Sequence, residues 1–464
     1  MDAPALPNQA LKLFRRSRPR CRDAHLLEAG GVHQLFLPQG SRLFEIDAAM
    51  ADGFEADMAA ADTPALQQRL ADLELGCAPY VDDTPPEGLK VRALSLAVAQ
   101  SCNLGCSYCY ARGGEFGGAA KAMSTDTARQ SVDLLLSQVA AGERVNLAFL
   151  GGEPLANRAV LHDATRYAAT QAGRKRVPLT FSITTNGTLV GASDIDLFEQ
   201  HGFAVTISLD GTQDSHDRLR PFKRGTGSYA RIMANISPML ARQHAMQVSA
   251  RVTVTPRNLD LRATLDAFVG QGFHSVGFSP MLSAPDHTDE MQHGDLALML
   301  EQMVDCGEEF VRQNLAGRRY PFANLVNALR EIHKGTHRPY PCGAGAGYFG
   351  VSADGALSAC HRFVGDDSGD MGNLAKGVDR QKQARWLAGR HVHKQEPCNS
   401  CWARYLCGGS CHHEAIHRGR PACDFIRGWL HYSLTAYGRL SRAKPEMFEP
   451  APATMHRQAR TNVA

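Results

Sequence analysis

The sequence predicts an α/β protein built around an open, partial barrel of six parallel strands. Two observations carry this expectation. From about residue 91, short apolar runs alternate with helical patterns, the signature of a parallel sheet with right-handed crossovers. Polar segments follow four consecutive runs, and in such folds the carboxyl ends of the strands lie on one rim, where chemistry is placed. Six units are too few for the closed barrel of eight.

The elements follow in order. The one basic run, Lys12, Arg15, Arg16, Arg18 and Arg20, reads as a solvated arm. No apolar stretch follows its Arg-Arg pair, so a twin-arginine export signal is not expected. Residues 24–48 alternate apolar and polar and break at Gly30-Gly31 and Gly40, as in a small antiparallel unit. TPALQQRLADLELG, starting at Thr63-Pro64 and stopping at Gly76, predicts a helix. VDDTPPEG (81–88) reads as a linker. The barrel strands are expected at 93–99, 145–150, 178–185, 204–210, 248–254 and 275–280. Helices are expected between them, at about 124–140, 157–172, 193–200, 227–243 and 259–270, with a long one at about 293–316. The chain then becomes rich in Gly, Cys and His. From 441 it lacks periodicity, as a mobile or extended tail would. Four regions result: a β-plus-helix module with its linker (1–90), the barrel (91–335), a Cys-rich domain (336–440) and the tail (441–464).

At 464 residues the chain exceeds a single core. Hydrophobic content of 44%, charged content of 21% and a net charge of +3 describe a soluble globular protein with no pull toward nucleic acid or membrane. No run approaches the ~18 apolar residues of a membrane span. Thirteen cysteines in a chain with no expected export argue for metal binding or catalysis in a reducing, cytoplasmic setting.

Ten of these cysteines fall into two spaced sets. Cys102, Cys106 and Cys109 form a C-x3-C-x2-C run just past the first barrel strand. Three thiolates leave one iron of a [4Fe–4S] cube open, whereas structural zinc wants four ligands. Tyr108, between two of them, offers a ring to pack on an adenine. After the second strand come Gly151, Gly152, Glu153 and Pro154: the glycines allow close backbone approach and Glu153 suits a ligand amine. After the third comes TTNGT, with Thr185 and Asn186. After the fourth comes SLDG, with Ser208 and Asp210. Arg220 suits a carboxylate. The second set is Cys342, Cys360, Cys398, Cys401, Cys407, Cys411 and Cys423. Soft thiolates in such numbers select iron–sulfur clusters, although four of them, Cys398 to Cys411, also suit a closed zinc site. Cys21, Cys77 and Cys306 match neither set and read as structural thiols.

C-x3-C-x2-C followed by GGEP, TNGT and SLDG resembles the radical S-adenosylmethionine (SAM) superfamily, over about residues 91–330. The resemblance implies a partial (β/α)6 radical SAM barrel in which SAM chelates the open iron and is cleaved to a 5′-deoxyadenosyl radical. It assigns Tyr108, Gly151 to Pro154, Thr185, Asn186, Ser208 and Arg220 to the SAM site. The second cysteine set resembles the SPASM extension of peptide-modifying members. That implies two auxiliary clusters, and three [4Fe–4S] clusters in all. Cys398, Cys401, Cys407 and Cys423 go to the distal one. Cys342, Cys360 and Cys411 go to the nearer one, whose fourth position is left to Cys306, His361, His412, another residue or a substrate thiolate.

The full chain most resembles the family of maturation enzymes of quinohemoprotein amine dehydrogenase. The likeness rests on LFEID (43–47), CNLGCSYCYARGGEFGG (102–118) and FLGGEPLANRAVL (149–161). It implies thioether crosslinks from Cys sulfur to Asp or Glu carbon within a cysteine-containing peptide or small protein subunit. A leader sequence gripped by residues 24–75 and an electron donor such as flavodoxin or ferredoxin go with that reading. Asp210 is the candidate base, unless the SAM site holds it. Formylglycine maturation of sulfatases and carbon–carbon cyclophane formation are the alternatives; against the first, His361 stands where that family places an aspartate. A non-catalytic iron–sulfur scaffold has no use for three-cysteine ligation beside GGEP.

Overall fold

The computed structural model describes residues 8–60, 63–76, 78–86, 88–284, 287 and 289–449. The chain begins with helix α1 (Asn8–Arg16), so part of the expected basic arm is ordered. Ala10 and Phe14, four residues apart on one face, are buried in the main core. Strands β1 (His25–Ala29), β2 (Val32–Leu37) and β3 (Arg42–Ile46) form the expected antiparallel sheet in the order β1-β2-β3. Helix α2 (Ala48–Ala59), which the sequence reading missed, covers that sheet and is followed by α3 (Thr63–Asp72). Its signals were present: Asp47 caps it by accepting from the Met50 amide, and Ala51, Phe54 and Met58 share a buried face.

Residues 93–280 form the six-stranded parallel sheet. Strand β4 (Ala93–Gln100) leads to a two-residue antiparallel partner, β5 (Lys121–Ala122), and helix α4 (Thr125–Ser137). Then come β6 (Val145–Gly151), α5 (Arg158–Lys175), β7 (Leu179–Thr185) and α6 (Ala192–Gln200). Next are β8 (Ala204–Ser208), α7 (Gln213–Leu219), α8 (Tyr229–Leu240), β9 (Gln247–Val254), α9 (Leu261–Gly270) and β10 (Ser275–Pro280). The order β4-β6-β7-β8-β9-β10 is parallel throughout. Strand β4 is buried over seven consecutive residues, as a central parallel strand covered on both faces must be.

Beyond the barrel stand α10 (His293–Leu315) and α11 (Ala323–His333). Short strands follow: β11 (Tyr348–Val351), β12 (Ala356–Ser358), β13 (Asp370–Asn373) and β14 (Gly377–Val378). Helices α12 (Arg380–Arg390), α13 (Arg404–Cys407), α14 (His412–His417) and α15 (Cys423–Ala443) complete the fold. Strand β11 pairs in parallel with β4, from Tyr348 opposite Ala93 to Val351 opposite Leu96. The barrel sheet therefore runs on into the Cys-rich part. Helix α15 packs on α1, α10 and α11 and continues past residue 440. Phe448 then lies against Tyr437 and His333, with ring centroids 5.0 and 5.2 Å apart, so the described start of the tail is helical and anchored by one ring, not extended. Cys77 and residues 450–464 lie outside the described residues. No helix among the described residues is long and apolar enough to cross a membrane.

The N-terminal sheet is fastened to α15 by a buried histidine pair, His25 Nε2 and His431 Nδ1 at 2.9 Å, with His25 stacked on Trp402. Burial holds both neutral: His25 is lowered well below its ordinary value and His431 to about 4. In the unfolded chain each binds a proton below about pH 6.5. Their stability contribution is therefore complete above pH 6.5 and falls as the pH drops toward 4. For His431 alone the loss is about 3 kcal/mol. The urea midpoint should fall over that range, and less steeply in His431→Leu than in the unsubstituted chain.

Candidate active site

The three cysteines of the first set sit in the loop that leaves β4. The loop is laced to the segment after α7: the Gly105 amide donates to the Pro221 carbonyl at 2.8 Å and the Lys223 amide to the Asn103 carbonyl at 3.2 Å. Cys102, Cys106 and Cys109 lie within electrostatic reach of one another: Cys109 raises Cys102 and Cys106, and Cys102 raises Cys106. Burial adds to this and pushes the Cys106 thiol up to about 12. Such thiols shed their protons only to a cation that replaces the lost solvation.

The other rim segments reach the same loop. The Gly152 amide donates to the Ala99 carbonyl and the Glu153 amide to the Ser101 carbonyl, both at 2.8 Å. A Cβ on Gly152 would overlap the Ser101 carbonyl, and one on Gly114 would stand 2.6 Å from the Gly152 Cα. Backbone is packed on backbone here, which glycine alone permits. Gly152→Ala should therefore displace the cysteine loop, reducing iron retention and SAM cleavage at least tenfold while circular dichroism stays unchanged. Asn186 donates through Nδ2 to Asn103 Oδ1 at 2.9 Å and lies 3.7 Å from the Cys102 sulfur. Glu153, fully buried, accepts from the Thr185 hydroxyl (2.6 Å), the Asn186 amide (2.8 Å) and the Leu155 amide (3.0 Å). Three of its roughly four acceptor positions are thus filled by the chain, leaving about one for a ligand amine. Pro154 opens the short turn after it, and Ser208 ends β8 on the same rim.

Two side chains are placed otherwise than the sequence suggested. The Tyr108 ring does not stand open for stacking. It is buried against Leu219, Met281 and Ala284, and its hydroxyl donates to Asp210 while accepting from Arg220 Nη1 at 2.7 Å. Asp210 is fully buried, with one oxygen bonded to Tyr108 and the other accepting the Thr253 amide at 2.9 Å. Burial raises its pKa, while Arg220, 3.7 Å away, lowers it. Both oxygens being engaged, Asp210 is poorly placed as a base for a substrate thiol. Arg220 keeps its Nε buried with no partner, a donor in want of an anion. The sequence reading also missed His216. Its Nδ1 accepts the Asp210 amide at 3.2 Å and its Nε2 lies 3.0 Å from the Ser228 hydroxyl, which fixes the turn that carries Asp210.

The seven C-terminal cysteines divide by proximity. Cys398, Cys401, Cys407 and Cys423 surround one small cavity together with Arg420 and Arg427. Cys342, Cys360 and Cys411 form a second group, in which Cys411 raises Cys342 and Cys360. Two trios of His, Cys, Asp and Glu among the described residues bring ligand atoms mutually within 4.8 Å, and neither contains a cysteine. A tetrahedral zinc ion with 2.3 Å bonds draws its sulfurs to about 3.8 Å. Two guanidinium groups, those of Arg420 and Arg427, suit the negative charge of a thiolate-ligated cube. An iron–sulfur cluster fits both groups better than zinc. Cys306 is not at the second group: it is buried on α10, its thiol pushed up to about 12 with Asp305, Arg262 and Asp266 as its charged neighbours. His361 Nδ1 lies 2.8 Å from the Tyr348 hydroxyl. His412 Nδ1 lies 3.3 Å from Arg390 Nε, and its Nε2 is buried without a partner.

Residues 96–267 match the sequence profile of the radical SAM superfamily. The chain carries a radical SAM domain. Its fold is that of known members. The structure titled native anSMEcpe with bound AdoMet superposes with a TM-score of 0.65 at 18% identity, over 77% of this chain and all of that one. Streptococcus suis SuiB bound to its precursor peptide SuiA gives 0.51 at 13% identity, over 84% and 94%. In sequence, the serine-type anaerobic sulfatase-maturating enzyme of Klebsiella aerogenes is 25% identical over 338 residues, 70% of this chain and 81% of the relative. Membership implies SAM and a [4Fe–4S] cluster. The rim fits them: three clustered thiols for the cluster, and for SAM a glycine cradle and the unpartnered Arg220 Nε. The proteins this chain resembles include enzymes that mature sulfatases. The comparisons do not single out the quinohemoprotein amine dehydrogenase family, and the curated relative favours the sulfatase alternative.

Proposed function

We propose that this enzyme joins cysteine sulfurs to Asp or Glu carbons within a peptide or small protein subunit, using three [4Fe–4S] clusters. The observation that carries the reading is a cavity of about 630 Å3 between the cysteine loop and the Cys-rich part. It is bounded by Tyr110, Arg112 and Phe116 on one side and by Arg362, Val364 and Arg418 on another. It has room for a peptide segment, and Arg112 suits a carboxylate side chain. When bound, the cofactors supply hydrogen-atom abstraction at carbon and accept the one electron left when a carbon–hydrogen and a sulfur–hydrogen bond give way to a carbon–sulfur bond. The chain's own part is to orient the peptide and exclude water. Tyr110 is fixed for this by Arg362, whose guanidinium lies 5.2 Å from its ring centroid. A protein base takes the thiol proton. The leader-binding role of the N-terminal sheet and a flavodoxin or ferredoxin donor belong to the same proposal.

Formylglycine maturation is the second reading, supported by the sulfatase-maturating relative. Against it stands His361, committed to Tyr348 where an aspartate base is expected. Mass spectrometry of a candidate cysteine-bearing peptide, co-expressed anaerobically and then alkylated, separates the two. Loss of two hydrogens per crosslink with thiols that no longer alkylate is expected. Loss of the sulfur with gain of an aldehyde establishes the second reading, and loss of two hydrogens with every thiol reactive points to carbon–carbon linkage.

A further inference from the structure

Three side chains gather on the wall of the large cavity that neither the SAM site nor either cysteine group uses. Asp366 lies between β12 and β13, while His413 and His417 stand one turn apart on α14, on the same face. One ligand atom from each lies within 4.8 Å of the other two. Asp366 Oδ2 is 2.7 Å from His417 Nε2 and 4.0 Å from His413 Nε2. A metal bonded to nitrogen and oxygen at about 2.0–2.2 Å sets neighbouring donors roughly 3.0–3.5 Å apart. The trio therefore closes around an ion by shifts of less than about an ångström.

The surroundings favour a cation. Two arginines of the cavity are already matched, Arg362 by Glu414 at 2.7 Å and Arg418 by Glu290. That leaves Arg112 on the opposite side against the charges of Asp366 and Asp367. All three donors line the cavity, so the remaining coordination positions face the space where a peptide would lie. A second trio, Asp83, His391 and His393, differs. Both ring nitrogens of its His393 are occupied, Nδ1 by Asp83 at 2.6 Å and Nε2 by the Tyr405 hydroxyl at 2.8 Å. It ties the 81–88 segment to the Cys-rich part.

We propose that Asp366, His413 and His417 bind one divalent first-row cation, distinct from the iron–sulfur clusters, whose open positions take a carboxylate or thiolate of the substrate. Two imidazoles and a carboxylate with open positions are a set that such ions accept. Containing no thiolate, the set also takes a hard ion such as Mn(II), which the cysteine groups do not prefer.

The test uses iron-replete holoenzyme under anaerobic conditions, with its clusters oxidised and silent in electron paramagnetic resonance. Mn(II) is titrated in and the signal of the free ion followed. One equivalent should be taken up per chain, and binding should weaken at least tenfold in Asp366→Asn and in His417→Ala at unchanged iron content. His413 is two residues from Cys411, so it is left intact. If His417→Ala loses iron, His417→Gln, which preserves bulk, replaces it. No saturable uptake by the unsubstituted enzyme overturns the proposal, as does uptake that survives both variants or disappears only in Asp83→Asn. The readout needs no peptide, so it is independent of which bond the enzyme makes.

Discussion

Replacing Cys102, Cys106 and Cys109 together by alanine is expected to reduce SAM cleavage to 5′-deoxyadenosine at least about a thousandfold. The cofactor carries the difficult chemistry, and the three thiols are the groups on the rim fit to hold it. A thousandfold corresponds to about 4 kcal/mol of barrier, a loss that positional effects elsewhere on the rim do not reach singly. The fold should survive, because the loop lies outside the sheet that β4, β6 and β7 build. On the proposed three-cluster reading, iron should fall by about a third, leaving the C-terminal groups loaded. Iron analysis, 5′-deoxyadenosine assay and circular dichroism check the three points. Full SAM cleavage in the variant would remove this loop from the chemistry and transfer the role to the C-terminal cysteines.

Arg220→Met should be the most damaging single substitution on the rim. It removes the cation 3.7 Å from a fully buried carboxylate and the donor to the Tyr108 hydroxyl. Burial already raises the pKa of Asp210, and Arg220 is the largest influence opposing it. Without Arg220 that opposition is lost, and the folded carboxyl holds its proton to a higher pH than before. A loss of roughly 3–5 kcal/mol follows, the range seen when one partner of a buried pair is removed. The sign of the pH dependence is diagnostic. In the variant the folded Asp210 keeps its proton while the unfolded one loses it above about pH 4, so the deficit grows as the pH rises through that value. Below it the two proteins should converge. SAM affinity should also fall at least tenfold, because the unpartnered Nε of Arg220 is lost with it. A deficit independent of pH would mean that Arg220 acts by packing alone.

Much of this was legible in the chain. The six parallel strands lie within a few residues of where apolar runs alternate with helical patterns, since a strand buried on both faces needs an unbroken run and a crossover helix its own period. Helix α2 was missed although its cap and its buried triplet were there, because Ala- and Asp-rich stretches carry a weak period. The four-residue β11 was out of reach: its pairing with β4 spans some 250 residues, and nothing local marks it.

The candidate site divides in the same way. Cysteine spacing and glycine placement are local, covalent features tied to the groups they hold, so the sequence alone determined the radical SAM class and the positions of the thiols. The direction of Tyr108, the engagement of both Asp210 oxygens and the meeting of Asp366 with His413 and His417 depend on contacts between distant segments. Tertiary structure alone decided these, because a side chain's partner and its solvation are set by what folds against it.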